Sequence, residues 1–332
     1  MNTVPHFHGP LRTHLDNGRY FTDDSGKAIY LTGSHTWANL QDIGLSGDPP
    51  FPYEAYLDFM QAYNHNFMRL WMFEQPERAC WTESCLLFAP LPWARTGPGV
   101  ANDGLPKFDL TVWNPAYFAR LRERLVAAGE KGIYAAVMLF QGWSLAVNKK
   151  GLDPWVVHPF NAANNVNGVD VPYTGWDDET HPSLHSMHNP QVLQHQEAYV
   201  RKVIDTINDL DNVLYEIINE GGSLAWQVHM VDLIHTYERG KPKQHPVGIT
   251  SGIPWFRNAA IAASSVDWYS PISQPNWWDR PGTPRVEDYQ VDPPPADGRK
   301  VMVPDTDHLW GHGGNPKWVW KCFARGHNPI FM

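Results

Sequence analysis

Asn212-Val-Leu-Tyr-Glu-Ile-Ile-Asn-Glu220 is a short apolar run set between two helix-like stretches, Pro190 to Leu210 before it and Ala225 to Arg239 after it. A run of this length and composition reads as a strand of a parallel sheet buried on both faces. The same alternation extends outward in both directions. Upstream lies Gly132-Ile-Tyr-Ala-Ala-Val-Met-Leu-Phe140, entered through a helix predicted from about Pro115 to Lys131. Its Phe118, Leu121, Leu125 and Ala128 recur at helical spacing, and Asn114-Pro115 supplies the cap and first-turn signal. Earlier still come Asn66-Phe-Met-Arg-Leu-Trp71, a helix-like Pro52 to Tyr63, and Ala28-Ile-Tyr-Leu-Thr-Gly33. Downstream, Pro246-Val-Gly-Ile-Thr250, Val266-Asp-Trp-Tyr-Ser270, Lys300-Val-Met-Val-Pro-Asp305 and Asn328-Pro-Ile-Phe-Met332 bring the strand candidates to eight. Strands alternating with helices make an α/β chain, and eight in order make a (β/α)8 TIM barrel.

Residues 1–27 read as a short β-rich cap, with Asp16-Asn-Gly18 and Asp23-Asp-Ser-Gly26 as turn signals around Tyr20-Phe-Thr22 and Ala28-Ile-Tyr30. Residues 28–332 then form one elaborated barrel, within the size range of that fold. The segment after Trp71 reads as a long Pro/Gly/Trp-rich loop, and Ser270 to Arg299 reads as a second, functional one. Because the sequence stops on the eighth strand, the expectation is either a truncated barrel or an outer helix supplied by the N-terminal segment.

Charged residues make up only 18% of the chain, while 16 Trp, 13 Tyr and 14 Phe exceed what a core alone requires. Rings outside the core suit a saccharide, whose C–H faces stack on aromatic faces. A net charge of −9 without any Lys/Arg run excludes a phosphate-binding surface and so nucleic acid, leaving a neutral ligand as the expectation. No run approaches the roughly 18 apolar residues of a membrane span, and the N-terminus lacks the basic and apolar regions of a signal peptide. The expected setting is therefore soluble, either cytoplasmic or a processed secreted protein. Three Cys are too few for a disulfide framework, with a Cys80–Cys85 bridge left open.

Barrel active sites lie at the C-terminal ends of the strands, which makes the polar residues ending each apolar run the candidates. Asn219 and Glu220 end the fourth strand. Glycoside hydrolysis needs a carboxylic acid to protonate the leaving oxygen, and a neighbouring amide can hold the sugar's 2-hydroxyl as charge develops. A second carboxylate belongs at the end of strand seven, where Asp305 and Asp307 share a side if the strand persists that far. Arg69 interrupts the apolar run of strand two, a buried cation that requires an acidic partner. His35 and Trp37 after strand one, Gln141 and Trp143 after strand three, Tyr269 on strand six, and His308 and Trp310 beyond the Asp pair are candidate sugar contacts. The segments His158-Pro-Phe-Asn-Ala-Ala-Asn-Asn165 and Trp277-Trp278-Asp279-Arg280 read as substrate-facing loops.

Arg69, Asn219-Glu220 and the strand-seven acids together resemble the motifs of the large clan of retaining glycosidases built on (β/α)8 barrels, clan A. That resemblance implies a glycoside hydrolase acting on a poly- or oligosaccharide, with Glu220 as acid/base, Arg69 keeping the nucleophile ionised, and no cofactor. The clan carries Glu on strand seven, where this chain has Asp, one methylene shorter. Asn17-Gly-Arg-Tyr-Phe21 and Tyr30-Leu-Thr-Gly-Ser-His-Thr-Trp37 also look like the apiosidase-like group, whose Asp-Gly-Glu motif, laid over Asp305-Thr-Asp307, puts Asp307 on the nucleophile. The commoner Lys-Pro-Val-x-x-Glu pattern puts Asp305 there instead, and of the two Asp307 is the expected nucleophile. Two other classes stay in view. The missing strand-seven Glu speaks for a non-catalytic carbohydrate-binding barrel. The 16 His invite a metal-dependent hydrolase, but His6-Phe-His8 precedes strand one and none of His181, His185 and His188 ends a strand, so no metal is assigned.

Overall fold

The computed structural model describes residues 7–145, 151–173, 184–250, 258–271, 291–306 and 315–331. Eight parallel strands form its centre: β1 (Gly33–Ser34), β2 (Phe67–Trp71), β3 (Tyr134–Gln141), β4 (Val213–Asn219), β5 (Val247–Thr250), β6 (Trp268–Ser270), β7 (Val301–Met302) and β8 (Ile330–Phe331). Their order in the sheet is β7-β6-β5-β4-β3-β2-β1-β8. A parallel bridge between Asp305 and Ile330, with the Ile330 amide donating to the Pro304 carbonyl at 3.0 Å, joins β7 to β8 and closes the ring. The fold is a (β/α)8 barrel.

Helices α1 (Tyr53–Ala62), α2 (Pro115–Glu130), α3 (Pro190–Ile207), α4 (Leu224–Glu238), α5 (Asn258–Ala262) and α6 (Pro316–Arg325) surround it. Three of them start on the same Asn-Pro signal. The side chains of Asn114, Asn189 and Asn315 each accept an amide proton from the first turn, while the proline that follows has no amide to leave unpaired. The four apolar residues that marked α2 in the sequence are all buried against the sheet. Each such burial of a large side chain stabilises by roughly 1.5–3 kcal/mol.

Alternate residues of the strands point into the barrel, and they fill it in layers. Phe67, Tyr134, Ala136, Leu214, Trp268, Val301, Val303 and Ile330 make one apolar cluster inside the ring. Gly248 belongs to this layer because of space: a Cβ there would lie 2.1 Å from the Trp268 ring. Leu11, Phe21 and Leu31 join the same cluster, so the N-terminal segment seals the end of the barrel where the strands begin. Within that segment Arg12–Thr13 pairs antiparallel with Phe21–Thr22, and Phe21 bridges Ile29.

Four expectations are corrected. Strand one is shorter and later than Ala28 to Gly33, because Ile29 is paired back onto Phe21 before the chain enters the barrel. Residues 7–32 contain no helix, so the described N-terminal segment supplies no outer helix. The segment after Trp71 is not a plain loop: Glu77–Ala79 and Thr82–Ala89 join Asp42–Gly44 in a three-stranded sheet, and Trp93–Val100 pairs with Pro106–Trp113. Finally, Cys80 and Cys85 form no bridge, since none of the three cysteines takes part in a disulfide.

Candidate active site

Two residues above the apolar floor, in the direction of the strand ends, the barrel interior turns polar. Arg69 of β2 reaches across β3 to Glu216 of β4, Nε to Oε2 at 2.7 Å, and across the ring to Asp305, Nη1 to Oδ2 at 2.6 Å. Thr250 of β5 donates its hydroxyl to the other Glu216 oxygen, and Ser270 of β6 donates to Asp305 at 3.4 Å. All five side chains are buried. Burial works against the Arg69 charge, but Glu216 and Asp305 outweigh it and hold the guanidinium protonated. Burial pushes the Glu216 carboxyl up, and Arg69 and Thr250 pull it back only in part. Four strands and the segment after β7 thus contribute to one charge-compensated layer.

At the top of β4 the chain makes a strained turn. Glu220 has a φ of +43°, in the left-handed region that non-glycine residues avoid at a cost of about 1–3 kcal/mol, and is only 8% exposed. The turn is held from several sides. The Asn219 carboxamide donates to Gln141 Oε1 at 2.8 Å, its carbonyl accepts from the Gly142 amide at 2.8 Å, and Gln227 donates to the Gly221 carbonyl at 2.9 Å. Ser223 then caps α4 through the Trp226 amide. Gly142 is required by proximity, since a Cβ at that position would lie 2.0 Å from the Glu220 carbonyl oxygen.

Beside this turn, Trp143 stacks on Trp81 with ring centroids 5.1 Å apart, and Trp37 lies 5.6 Å from each of them. A cavity of about 420 Å³ opens here, lined by His35, Trp37, Ile43, Trp81 and Leu86 among others. His35 is 5% exposed and neither ring nitrogen has a hydrogen-bond partner among the described residues. Burial, with Arg69 close by, pushes its pKa down to about 3. The ring is therefore neutral at ordinary pH and offers one donor and one acceptor next to the polar layer.

Of the residues singled out in the sequence, Arg69 and Asp305 meet directly, Asn219 and Gln141 hydrogen-bond, His35 and Trp37 line the cavity, and Trp143 stacks on the Trp81 of its wall. Asp307, His308, Trp310 and the segment Trp277 to Arg280 lie outside the described residues, as do His6 and His181. Tyr269 does not face the interior: it groups with Ile249 and Met302 in the core between sheet and helices, and Ser270 next to it takes the inward position. The loop from His158 to Asn165 turns its amides inward on itself. Asn164 and Asn165 are buried and donate to the carbonyls of Val156, His158, Pro159, Asn161 and Val169. Sequence reasoning passed over Glu216, Thr250, Ser270 and Trp81. Glu216 was open to detection, because it shares strand parity with Glu220 and is an acid in an apolar run whose nearest strand-borne cation is Arg69. Among the described residues no group of three or more His, Cys, Asp or Glu is arranged to hold a metal ion, and no helix is long and apolar enough to cross a membrane.

A family model described as a domain of unknown function, DUF6298, matches residues 78–253. No curated protein matches the sequence. Solved structures that resemble it include a protein from Bacteroides vulgatus assigned to the glycoside hydrolases, with a TM-score of 0.55 and 13% identity over 97% of this chain and 54% of that one. The endo-1,4-beta-mannanase of Rhizomucor miehei gives a TM-score of 0.52 at 13% identity, over 97% of this chain and 88% of that one. A beta-glucanase of Saccharophagus degradans, solved with cellotetraose, gives 0.52 at 11% identity, over 98% and 85%. At these identities the likeness is one of fold. The chain spans about half the length of the Bacteroides protein.

Proposed function

The chain belongs to DUF6298, a family described as a domain of unknown function, and we propose that it is a glycoside hydrolase whose proton donor is Glu220 and whose partner carboxylate is Asp305. The observation that carries this reading is Arg69, bonded to Asp305 at 2.6 Å in a layer just below the strand ends. An arginine in that place keeps a carboxylate ionised and fixes its direction, as a nucleophile requires. Glu220, held in a strained turn at the end of β4, supplies the second carboxyl group. The likeness to clan A barrels favours retention. In that mechanism Glu220 protonates the leaving oxygen as the C–O bond breaks and Asp305 bonds to the anomeric carbon. Water, deprotonated by the Glu220 carboxylate, then attacks the same carbon and releases Asp305. Trp37, Trp81 and Trp143 provide faces for the sugar, and the opening motif through Trp37 favours the apiosidase-like branch, with plant or microbial polysaccharide side chains as substrates.

The test is a panel of aryl glycosides and polysaccharides offered to wild type, Glu220→Gln, Asp305→Asn and Asp307→Asn, with the product anomer followed by NMR. Asp305→Asn and Glu220→Gln are expected to lose at least 10²-fold in kcat/KM, and the first product formed is expected to keep the substrate's anomeric configuration. Full activity in Asp305→Asn with loss in Asp307→Asn would transfer the nucleophile role to Asp307. One feature favours a second reading, a sugar-binding barrel without catalysis: the strand-seven acid is the shorter Asp, already engaged by Arg69 and Ser270. Sugar binding by wild type with no cleavage anywhere in the panel would establish that reading instead.

A further inference from the structure

Beneath the Glu220 turn lies a buried acid that the chemistry above does not use. Glu74 follows β2, is fully buried, and its Oε2 accepts two hydrogen bonds: from the Gln141 amide at 3.1 Å and from the His185 ring Nε2 at 3.0 Å. Each of these donors leads to one end of the turn. Gln141 holds the Asn219 carboxamide, and the next residue, Gly142, donates to the Asn219 carbonyl. On the other side the His185 carbonyl accepts from the Ser223 amide at 3.0 Å. The His185 ring packs on Trp226 and Phe140, with centroids 5.1 and 5.7 Å away, and its Cβ lies 3.0 Å from where a Cβ on Gly222 would stand. One carboxylate therefore ties together the ends of β2 and β3 and the segment preceding α3, and through them both ends of residues 219–223.

From this juxtaposition we propose that Glu74 and His185 are positioning residues, a clamp that holds the Asn219-Glu220-Gly221-Gly222-Ser223 turn in its left-handed conformation and so aims the Glu220 carboxyl. The proposal rests on the reading of Glu220 as proton donor. A left-handed glutamate persists only where the surroundings over-determine it, and a bonded pair at the junction of three segments does that. A second buried pair of the same kind, Glu238 with His245 at 2.8 Å, sits near the start of β4 and β5 and serves as the control.

Hydrogen exchange on the full chain tests the clamp without reference to activity. Glu74→Gln and His185→Gln are expected to raise amide exchange in residues 219–223 by roughly tenfold or more, whereas Glu238→Gln leaves that segment unchanged. Unchanged exchange at 219–223 in both clamp variants overturns the proposal. Catalysis supplies the second readout, with phenyl and 2,4-dinitrophenyl glucosides, mannosides and galactosides as probes. In kcat/KM, which reports bond cleavage and not the later attack of water, a misaimed acid harms only substrates whose leaving group needs a proton. The clamp variants are expected to lose roughly 100-fold in kcat/KM on phenyl glycosides and less than about threefold on dinitrophenyl glycosides. Equal loss on both would mark a merely structural role and sink the idea. If wild type cleaves none of the probes, the enzyme does not act on these three sugars, and the exchange result alone decides whether the clamp exists.

Discussion

Arg69 is the residue on which the interior turns, because it offsets two buried carboxyls at once. Removing one member of such a set leaves uncompensated charge, which is far more damaging than the set is stabilising. Arg69→Met should therefore destabilise the protein by about 3–5 kcal/mol, measured by urea unfolding at neutral pH. The effect has a sign in pH. Without the cation, burial acts on Glu216 against the Thr250 hydrogen bond alone and raises its carboxyl further above the unfolded value. A carboxyl raised in this way contributes its stability at low pH and loses it as pH rises through the folded value. The deficit of Arg69→Met relative to wild type should be smallest near about pH 4 and largest above about pH 7. A deficit that does not change with pH would mean that Glu216 is compensated by some other group.

At the scale of elements, the turn after β4 and the end of β3 are fitted so closely that backbone meets backbone. Gly142→Ala would place a methyl group 2.0 Å from the Glu220 carbonyl oxygen, and a backbone oxygen cannot rotate aside as a side chain can. The turn must move. Because a displacement of about 1 Å at a reacting group costs on the order of 100-fold in rate, kcat is expected to fall by that order while the melting temperature changes by only a few degrees. A fall in stability with kcat unchanged would show that the turn absorbs the methyl group without moving Glu220. Elements of this kind were legible in the sequence to different degrees. Strands β2 to β4 and helices α2 and α3 stood out because continuous apolar runs report directly on burial, and for α2 the Asn114-Pro115 cap reports on a helix start. The sheet formed by Glu77–Ala79 and Thr82–Ala89 did not, since it is largely exposed, carries a register shift and shows no unbroken apolar face. Trp81, which that insertion carries to the cavity, was missed for the same reason. Arg69 was readable as a buried cation in need of an acid, but its Glu216 partner emerges only when strand parity is followed across the ring. Tyr269 was misplaced by one residue of that same alternation.

Across the whole molecule, the cores formed inside and outside the ring enclose several imidazoles that stay neutral. Burial, with Arg325 and Arg19 close by, pushes His327 down to about 4, as burial and Arg69 push His35 down to about 3. His158 is likewise driven well below its usual range by burial and by His185. Unfolded, each takes up a proton near pH 6.5, so between that value and the folded one the unfolded chain binds protons that the native chain does not. Stability contributed in this way is present above about pH 6.5 and is lost as pH falls, by about 1.4 kcal/mol per pH unit for each histidine. His235 acts in the opposite sense, because its hydrogen bond to Asp267 holds it up. Between about pH 5 and 6.5 exposed carboxylates remain ionised in both states, so the slope there reports on the histidines, with Glu216, whose carboxyl burial pushes up, acting in the opposite sense. The urea midpoint is expected to fall steeply on acidification through this window, and His327→Gln, at a position where neither ring nitrogen is hydrogen-bonded among the described residues, should flatten the slope by about 1.4 kcal/mol per pH unit. An unaltered slope in that variant would require His327 to be protonated in the folded protein, and with it a buried acid beside the Arg19 and Arg325 side chains.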